Sequence, residues 1–204
     1  MASLSNLVPL IALDVPGAPE AVIRQACSLA AREFCKRTGA WRNELTAISV
    51  EADLADYEVD YELDDDDGEA EILAPCKVVL DGQELVEGDD YSYGNSTIHL
   101  VTVPTAAITD GLEVTLTLRP IYGSDYIDDD VLAQNFEPLS YGARTMLLIQ
   151  PKKPWSNPPL AAVYAARFEE EIGDARWNTD TGVGAKGSDS PNIRGAAMIR
   201  MRTF

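Results

Sequence analysis

The chain has 204 residues, of which 46% are hydrophobic, and a formal net charge of −18. This composition suits one folded domain, or a domain with an insertion, and excludes disorder of the whole chain. No run of about 18 apolar residues occurs, and no basic residue precedes Arg24, so we expect neither a transmembrane helix nor a signal peptide.

The charge is distributed unevenly along the chain. Residues 43–130 contain 24 acidic and 2 basic residues, a net charge of −22, whereas the segments on either side are neutral or slightly basic. Such a block repels the phosphate backbone, so sequence-specific nucleic-acid binding through it is not expected. A solvated acidic surface that keeps the protein soluble is the simpler interpretation.

The N-terminal segment, residues 1–42, is predicted to be a lead-in followed by the first bundle helix. Prolines and a glycine without periodicity predict an extended lead-in over residues 1–18. Apolar residues then recur at helical spacing over residues 19–38, and Gly39 is typical of a helix end. We expect Trp41 to pack back on this helix.

The three cysteines are interpreted as small buried thiols. Cys27 and Cys35 lie eight residues apart on the predicted helix, which separates them by roughly 12 Å, too far for a disulfide. With Cys76, they show no spacing that supports a metal site.

Residues 43–120 are predicted to form an inserted acidic antiparallel β-domain, because the hydrophobic period changes to two. Asp81-Gly82 is a strong hairpin signal, and Gly94-Asn95 marks a second hairpin. We expect six or seven short strands in a small sandwich or barrel, with the acidic residues on its outer face. Alternating stretches are found at 48–54, 57–63 and 112–118.

Residues 121–179 are predicted to contain the second and third bundle helices. A loop that ends in three aspartates leads into a helix that Pro138 kinks or restarts. Four prolines within residues 151–159 form a rigid corner, and Asn157 caps the third helix. The apolar stripe of this helix comprises Leu160, Val163, Tyr164, Phe168, Ile172 and Ala175.

The last segment, residues 180–204, is predicted to be a flexible arm, since the chain is rich in Gly, Ser and Asp from Asn178 onward. Its basic and apolar tip is typical of a docking peptide. The tip residues are Ile193, Arg194, Met198, Ile199, Arg200, Met201, Arg202 and Phe204. In chain order, the segments predict an α+β fold: a three-helix bundle with an inserted small antiparallel β-domain and an extended C-terminal arm.

The motifs that could carry chemistry are weak. Gly182–Gly187 matches G-x-G-x-x-G but follows a predicted helix instead of a strand, so no nucleotide site is expected. Asp64–Gly68 fails the EF-hand template and is interpreted as an acidic turn. His99, the single histidine, is interpreted as structural. The lysines at 152–153 beside Trp155 could hold a phosphate or a base, although solvated lysines beside a packed tryptophan are favoured. No catalytic residue, metal or cofactor is therefore predicted.

Two stretches resemble the head-to-tail adaptor proteins of tailed bacteriophages, also called connector or head-completion proteins. Together they cover about a quarter of the chain. The matching residues of the first stretch, 23–42, are Ala30, Glu33, Phe34, Cys35, Arg37, Thr38 and Trp41. Those of the second, the proline corner and its neighbouring helices, are Gly142, Ala143, Lys153, Pro154, Trp155, Asn157, Pro158, Leu160, Ala161, Tyr164 and Phe168.

The resemblance implies a structural virion protein that forms a ring, usually dodecameric, beneath the portal. Such a ring extends the DNA ejection channel and offers a platform for tail attachment. The implied partners are the portal protein, tail or nozzle proteins and further copies of the chain, while packaged DNA passes through without sequence-specific binding and no membrane takes part. The implied location is the virion neck, after synthesis in the host cytoplasm.

In this setting the arm tip is interpreted as the portal-binding element. The acidic β-domain either lets DNA slide past or faces a basic tail partner. We expect no enzymatic activity. The alternatives are another neck or tail-completion protein, a carboxylate-based cell-wall glycosidase, and a small-molecule binding module.

Overall fold

The computed structural model describes residues 1–59 and 70–181 and is mixed α+β, as predicted. Within these ranges the helices are α1 (Val8–Ala12), α2 (Glu20–Thr38), α3 (Asp129–Gln134), α4 (Phe136–Leu148) and α5 (Pro158–Thr181). The strands are β1 (Ala2–Ser3), β2 (Arg42–Glu44), β3 (Ile48–Val50), β4 (Asp56–Glu58), β5 (Ala70–Leu80), β6 (Gln83–Glu84), β7 (Tyr91–Gly94), β8 (Thr97–Leu100), β9 (Ile108–Pro120) and β10 (Tyr126–Ile127).

The N-terminal segment is helical, so the extended lead-in predicted over residues 1–18 is wrong. A 3-10 helix (Leu4–Leu7) runs directly into α1, and Pro9 lies in the first turn of α1, where a missing N–H costs nothing. Four apolar side chains of this segment, those of Leu4, Leu7, Ile11 and Val15, are almost fully buried. Because both short helices pack against α2, burial of apolar surface outweighs their weak intrinsic stability.

Helix α2 begins and ends as predicted. Pro19 is its extended N-terminal flank. Gly39 follows its last turn in the left-handed conformation, with φ 61°, and its amide donates to the Cys35 carbonyl at 2.9 Å. Trp41 is buried in the core that includes this helix, as expected.

The cysteine prediction is right for two residues and wrong for the third. Cys27 and Cys35 are buried on α2, and burial raises the pKa of each thiol to about 12. Cys76 is exposed on β5, where its thiol approaches the Thr115 carbonyl at 3.4 Å. It lies in a stretch where the register of β5 shifts, and this irregularity turns it away from the core.

Two antiparallel sheets lie in the middle of the chain. The larger has the strand order β2-β9-β5-β6, with β3 also paired to β9, and the smaller has the order β4-β8-β7. Eight strands, β2 to β9, lie within the described part of residues 42–120, more than the six or seven predicted. The inward residues of the long strand β9, such as Leu112 and Leu116, are fully buried.

Both predicted hairpins are present. Asp81-Gly82 joins β5 to β6 with φ of 48° and 76°, the two positive values that a type I′ turn requires. The second hairpin turns at Asn95-Ser96 and not at Gly94-Asn95, because Gly94 still pairs with Thr97 in the β7–β8 ladder.

Two predicted strands have different lengths in the structure. The run predicted over 48–54 ends at Val50, since Asp53 has φ 62° and Leu54 is exposed. Strand β5, which leads into the predicted Asp81-Gly82 turn, is 11 residues long and begins at Ala70. Its register against β9 shifts after Pro75, which has no N–H to donate, and this shift breaks the sequence alternation.

The predicted second helix is divided into two. Asp128 caps α3, because its Oδ1 accepts a hydrogen bond from the Val131 amide at 3.0 Å. A break at Asn135 follows, and Pro138 lies in the first turn of α4, so it marks a restart and not a kink. The loop before α3 contains β10, which pairs with β1 at the other end of the chain.

Helix α5 is capped as predicted, with the Leu160 amide donating to Asn157 Oδ1 at 3.3 Å. It continues to Thr181. The flexible chain predicted from Asn178 onward is therefore wrong for residues 178–181, which are helical. Of its predicted apolar stripe, Phe168 is buried but Val163 is exposed. Helices α2, α4 and α5 contact one another, and one continuous core joins them to the sheets.

Candidate functional surfaces

Helices α2, α4 and α5 approach closely at Gly142. A Cβ atom at this position would lie 2.9 Å from Cζ of Phe168 and 3.0 Å from Cβ of Ala30. The rings of Phe34 and Phe168 lie beside this contact, with their centroids 6.3 Å apart. All four residues lie in residues 23–42 or in the proline corner and its neighbouring helices, so folding brings positions from these two distant stretches together.

The proline corner behaves as the favoured interpretation predicts. Trp155 is 8% exposed, while Lys152 and Lys153 are exposed. The Lys153 ammonium lies 5.7 Å from the centroid of the indole ring, within cation–π range. Trp155 Nε1 has no hydrogen-bond partner among the described residues. The tryptophan is therefore a core residue with a lysine ammonium over its ring.

A partly buried polar cluster around Arg144, which the sequence patterns did not reveal, ties the N-terminal segment to α4 and α5. Arg144 Nη2 donates to the Leu10 carbonyl at 3.0 Å, and its Nε lies 2.8 Å from Asp14 Oδ2 as an ion pair, with the N–H not aligned for a hydrogen bond. The Tyr164 hydroxyl donates to the same carboxylate oxygen at 3.0 Å. Burial, together with this hydrogen bond, raises the pKa of Tyr164. The cluster is structural: it pairs a buried guanidinium with its counter-charge.

His99 pairs with an acid across the smaller sheet. Its Nδ1 lies 2.6 Å from Asp56 Oδ1, and the register places Asp56, His99 and Ser92 side by side on β4, β8 and β7. All three side chains are exposed, and no hydrogen bond joins Ser92 to the imidazole in this described sheet. A Ser–His–Asp site requires that bond and a sheltered pocket, so the pair is interpreted as a surface contact.

Several predicted motifs lie outside the described residues. These are the acidic turn Asp64–Gly68, the glycine-rich run Gly182–Gly187 and all eight residues of the arm tip. Within residues 1–59 and 70–181, no three or more His, Cys, Asp or Glu side chains are grouped so that they could hold a metal ion. In the same ranges, no helix has the length and apolar character that a membrane crossing requires.

The acidic residues of the β region face outward, as predicted. Of those described between residues 43 and 120, all are exposed except Glu71. Among the described residues the densest group is the segment 81–90, here called the acidic segment, whose carboxylates belong to Asp81, Glu84, Glu87, Asp89 and Asp90. Asp90 accepts a hydrogen bond from the Val86 amide at 2.9 Å, and none of the five forms an ion pair with a described residue.

A basic pocket of about 590 Å³ lies where the end of α2 meets β2 and α5. Its cations are Lys36, Arg37, Arg42 and Arg176, which three separate elements supply. Both terminal nitrogens of the Arg37 guanidinium donate hydrogen bonds to the Glu169 carboxylate, one of them at 2.7 Å. These hydrogen bonds lower the pKa of Glu169 and raise the pKa of Arg37.

Two of the other cations of the basic pocket lack an acidic partner among the described residues. Lys36 and Arg42 form no ion pair with any described residue, and Arg42 Nε donates to the Gly39 carbonyl at 3.3 Å. In sequence, Lys36 and Arg37 are explained by the helix dipole at the end of α2. No local signal links them to Arg42 or Arg176, because folding alone brings the three elements together.

No protein-family model matches the sequence, and no curated protein matches it either. Interpretation of function therefore depends on the resemblance of the two stretches and on the surfaces described above.

Proposed function

We propose that the chain is a structural virion protein, a head-to-tail adaptor of a tailed bacteriophage. In this proposal it forms a ring under the portal, extends the DNA channel and provides the platform for tail attachment. The observation that carries the proposal is the contact of Ala30, Gly142 and Phe168. These residues come from both resembling stretches, which are far apart in the sequence, and a shared packing contact supports the interpretation that they form one motif.

The proposal includes a finer architecture. Helices α2, α4 and α5 form a three-helix bundle, the β region between them is a small sandwich or barrel, and the chain beyond Thr181, where α5 ends, is an extended arm. Mutual contacts of the three helices and the continuous core support this arrangement. Domain boundaries near residues 42, 120 and 179 follow from it.

The proposed partners are the portal protein, tail or nozzle proteins and further copies of the chain. The exposed carboxylates of the β region would repel packaged DNA and let it pass without sequence-specific binding. We place the protein in the virion neck, between capsid and tail. A virion reconstruction would test this directly, since density for this chain elsewhere in the neck or tail would favour the rival completion protein.

Deletion of residues 193–204 tests the assignment of the arm tip to the portal. We expect the truncated chain to lose co-sedimentation with the portal protein of the same phage, because the tip supplies apolar anchors and arginine–carboxylate pairs. A matched control keeps the tip and replaces residues 183–190 with a Gly/Ser linker of equal length, and it should still bind. Undiminished binding after the deletion overturns the role of the tip, and failure of the intact chain to bind overturns the adaptor function.

A further inference from the structure

We propose that the basic pocket binds the acidic segment of a neighbouring copy and so forms a head-to-tail contact between subunits. This inference deepens the proposed function and rests on it, since it assigns the two surfaces through which a ring would close. The ligand class is an acidic peptide surface, and its source is a second copy of this chain.

The chemistry of the basic pocket suits carboxylates. Four cations surround a single acid, Glu169, in a chain whose net charge is −18. Arg37 already holds Glu169 with two nitrogens, which shows that the geometry accepts a carboxylate. Lys36 and Arg42 have no acidic partner among the described residues and can accept carboxylates from outside.

The acidic segment has the complementary features. It presents five carboxylates in ten residues, all exposed, and Val86 is 57% exposed among them. Its shape is set by the Asp81-Gly82 turn and by two hydrogen bonds, from Leu85 to the Val78 carbonyl at 2.9 Å and from Gly88 to the Tyr91 carbonyl at 2.7 Å. Because it is already ordered, little conformational entropy is lost when it docks.

The acidic segment cannot reach the basic pocket of its own chain. Arg42 is paired with Thr117 of β9, whereas Leu80, just before the acidic segment, is paired with Leu112. These positions are separated by roughly 17 Å along the strand, and β9 itself lies between β2 and β5. The ladders hold both surfaces at this separation, so the carboxylates must come from another copy.

The two surfaces differ, so their contact is heterologous. A contact in which one surface of a subunit meets a different surface of the next generates a closed ring when the rotation allows it. Duplex DNA could in principle supply anions to the basic pocket, but a net charge of −18 opposes its approach. A neighbouring acidic segment is therefore the favoured occupant, and DNA becomes one outcome of the test.

Complementary charge reversals test the contact. Arg42→Glu changes the basic pocket, Glu84→Lys changes the acidic segment, and static light scattering gives the second virial coefficient at about 0.1 M NaCl, where charges interact over about 10 Å. We expect the coefficient of each variant alone to be more positive than that of the unchanged chain, which means weaker self-association. An equimolar mixture should recover part of this shift, because in every encounter between unlike variants the altered surfaces meet each other and the native surfaces meet each other, whereas encounters between identical variants stay unfavourable.

The control separates this contact from general repulsion. Glu84→Lys changes the net charge from −18 to −16, so bulk repulsion alone would make the variant associate more strongly. Glu58→Lys makes the same change in net charge at an exposed site on β4, outside both surfaces. This control variant should therefore associate more strongly than the unchanged chain. Far-ultraviolet circular dichroism checks that every variant is folded.

The outcomes decide the proposal. If Glu84→Lys behaves like Glu58→Lys, or if the mixture does not recover, the contact is overturned. If Arg42→Glu abolishes binding to duplex DNA while Glu84→Lys leaves self-association unchanged, the basic pocket serves nucleic acid instead. Portal co-sedimentation of the same variants distinguishes the two proposals. If the variants bind the portal protein but the virial coefficient of their mixture does not recover, only the subunit contact is overturned. If the unchanged chain does not bind the portal protein, the adaptor function is overturned.

Discussion

At the level of single residues, Glu71 shows how one side chain can join several elements. It lies on β5 opposite Arg119 of β9, which donates to its two oxygens at 2.6 and 3.0 Å, while Arg32 of α2 donates at 3.1 Å. Arg32 also donates to the Pro120 carbonyl. The hydrogen bonds from Arg119, and then that from Arg32, lower the pKa of Glu71. This acid therefore connects helix and sheet, unlike its exposed neighbours.

We expect Glu71→Gln to lower the free energy of unfolding at pH 7 by about 1 kcal/mol, the upper end for partly exposed ion pairs. Because the folded pKa lies below the unfolded one, the stabilisation is complete above the unfolded pKa and disappears as pH falls through the folded pKa. Urea denaturation of both proteins between neutral and acidic pH measures this difference. Glu113→Gln is the control, since Glu113 is exposed and forms no ion pair with a described residue. A difference that persisted unchanged in acid would exclude the ionic contribution.

At the level of helices and strands, close packing of α2, α4 and α5 depends on the absence of a side chain at Gly142. A β-carbon there would have to displace Phe168 or Ala30, which are both buried. Gly173 in α5 is also helical, but a β-carbon there would meet nothing within 4 Å. The two glycines therefore offer the same substitution in a crowded and in an open position.

Gly142→Ala should destabilise the protein by about 1–3 kcal/mol, because overpacking a close helix contact forces its neighbours apart. Gly173→Ala should be neutral or stabilising by up to about 1 kcal/mol, the helix propensity gain of alanine over glycine. Chemical denaturation of both variants in parallel tests the comparison. Equal effects from the two substitutions would contradict the close packing at Gly142.

At the level of the whole molecule, charge and burial are separated. A continuous apolar core runs through helices and sheets, while nearly all described acids of the β region face solvent. The basic pocket concentrates four cations at the junction of α2, β2 and α5. The described surface is thus acidic overall with a local site of opposite sign, which the proposed contact between copies requires.

We expect the free protein to form few rings at low salt, because subunits that each carry −18 repel one another beyond any local contact. Moderate salt, or the portal protein as a template, should promote ring formation, since salt screens repulsion between charges more than about 10 Å apart more strongly than it screens charges in direct contact. Light scattering across a salt series measures this dependence. Stable rings of free protein at low salt would contradict the prediction.

The sequence signals that succeeded are those that depend on neighbouring residues. The end of α2 at Gly39, the Asp81-Gly82 turn and the Asn157 cap each follow from the backbone preferences and hydrogen bonds of a few adjacent groups. The acidic outer face of the β region followed from charge density, because unpaired carboxylates are rarely buried.

Folding alone determined the features that join distant parts of the chain. The helical N-terminal segment, the pairing of β1 with β10 and the Glu71 contacts all depend on partners that no local pattern identifies. The same reason explains why Val163 is exposed and Phe168 buried, although both fit one apolar stripe. Periodicity shows that a helix has an apolar face, but the neighbouring elements decide how much of that face they cover.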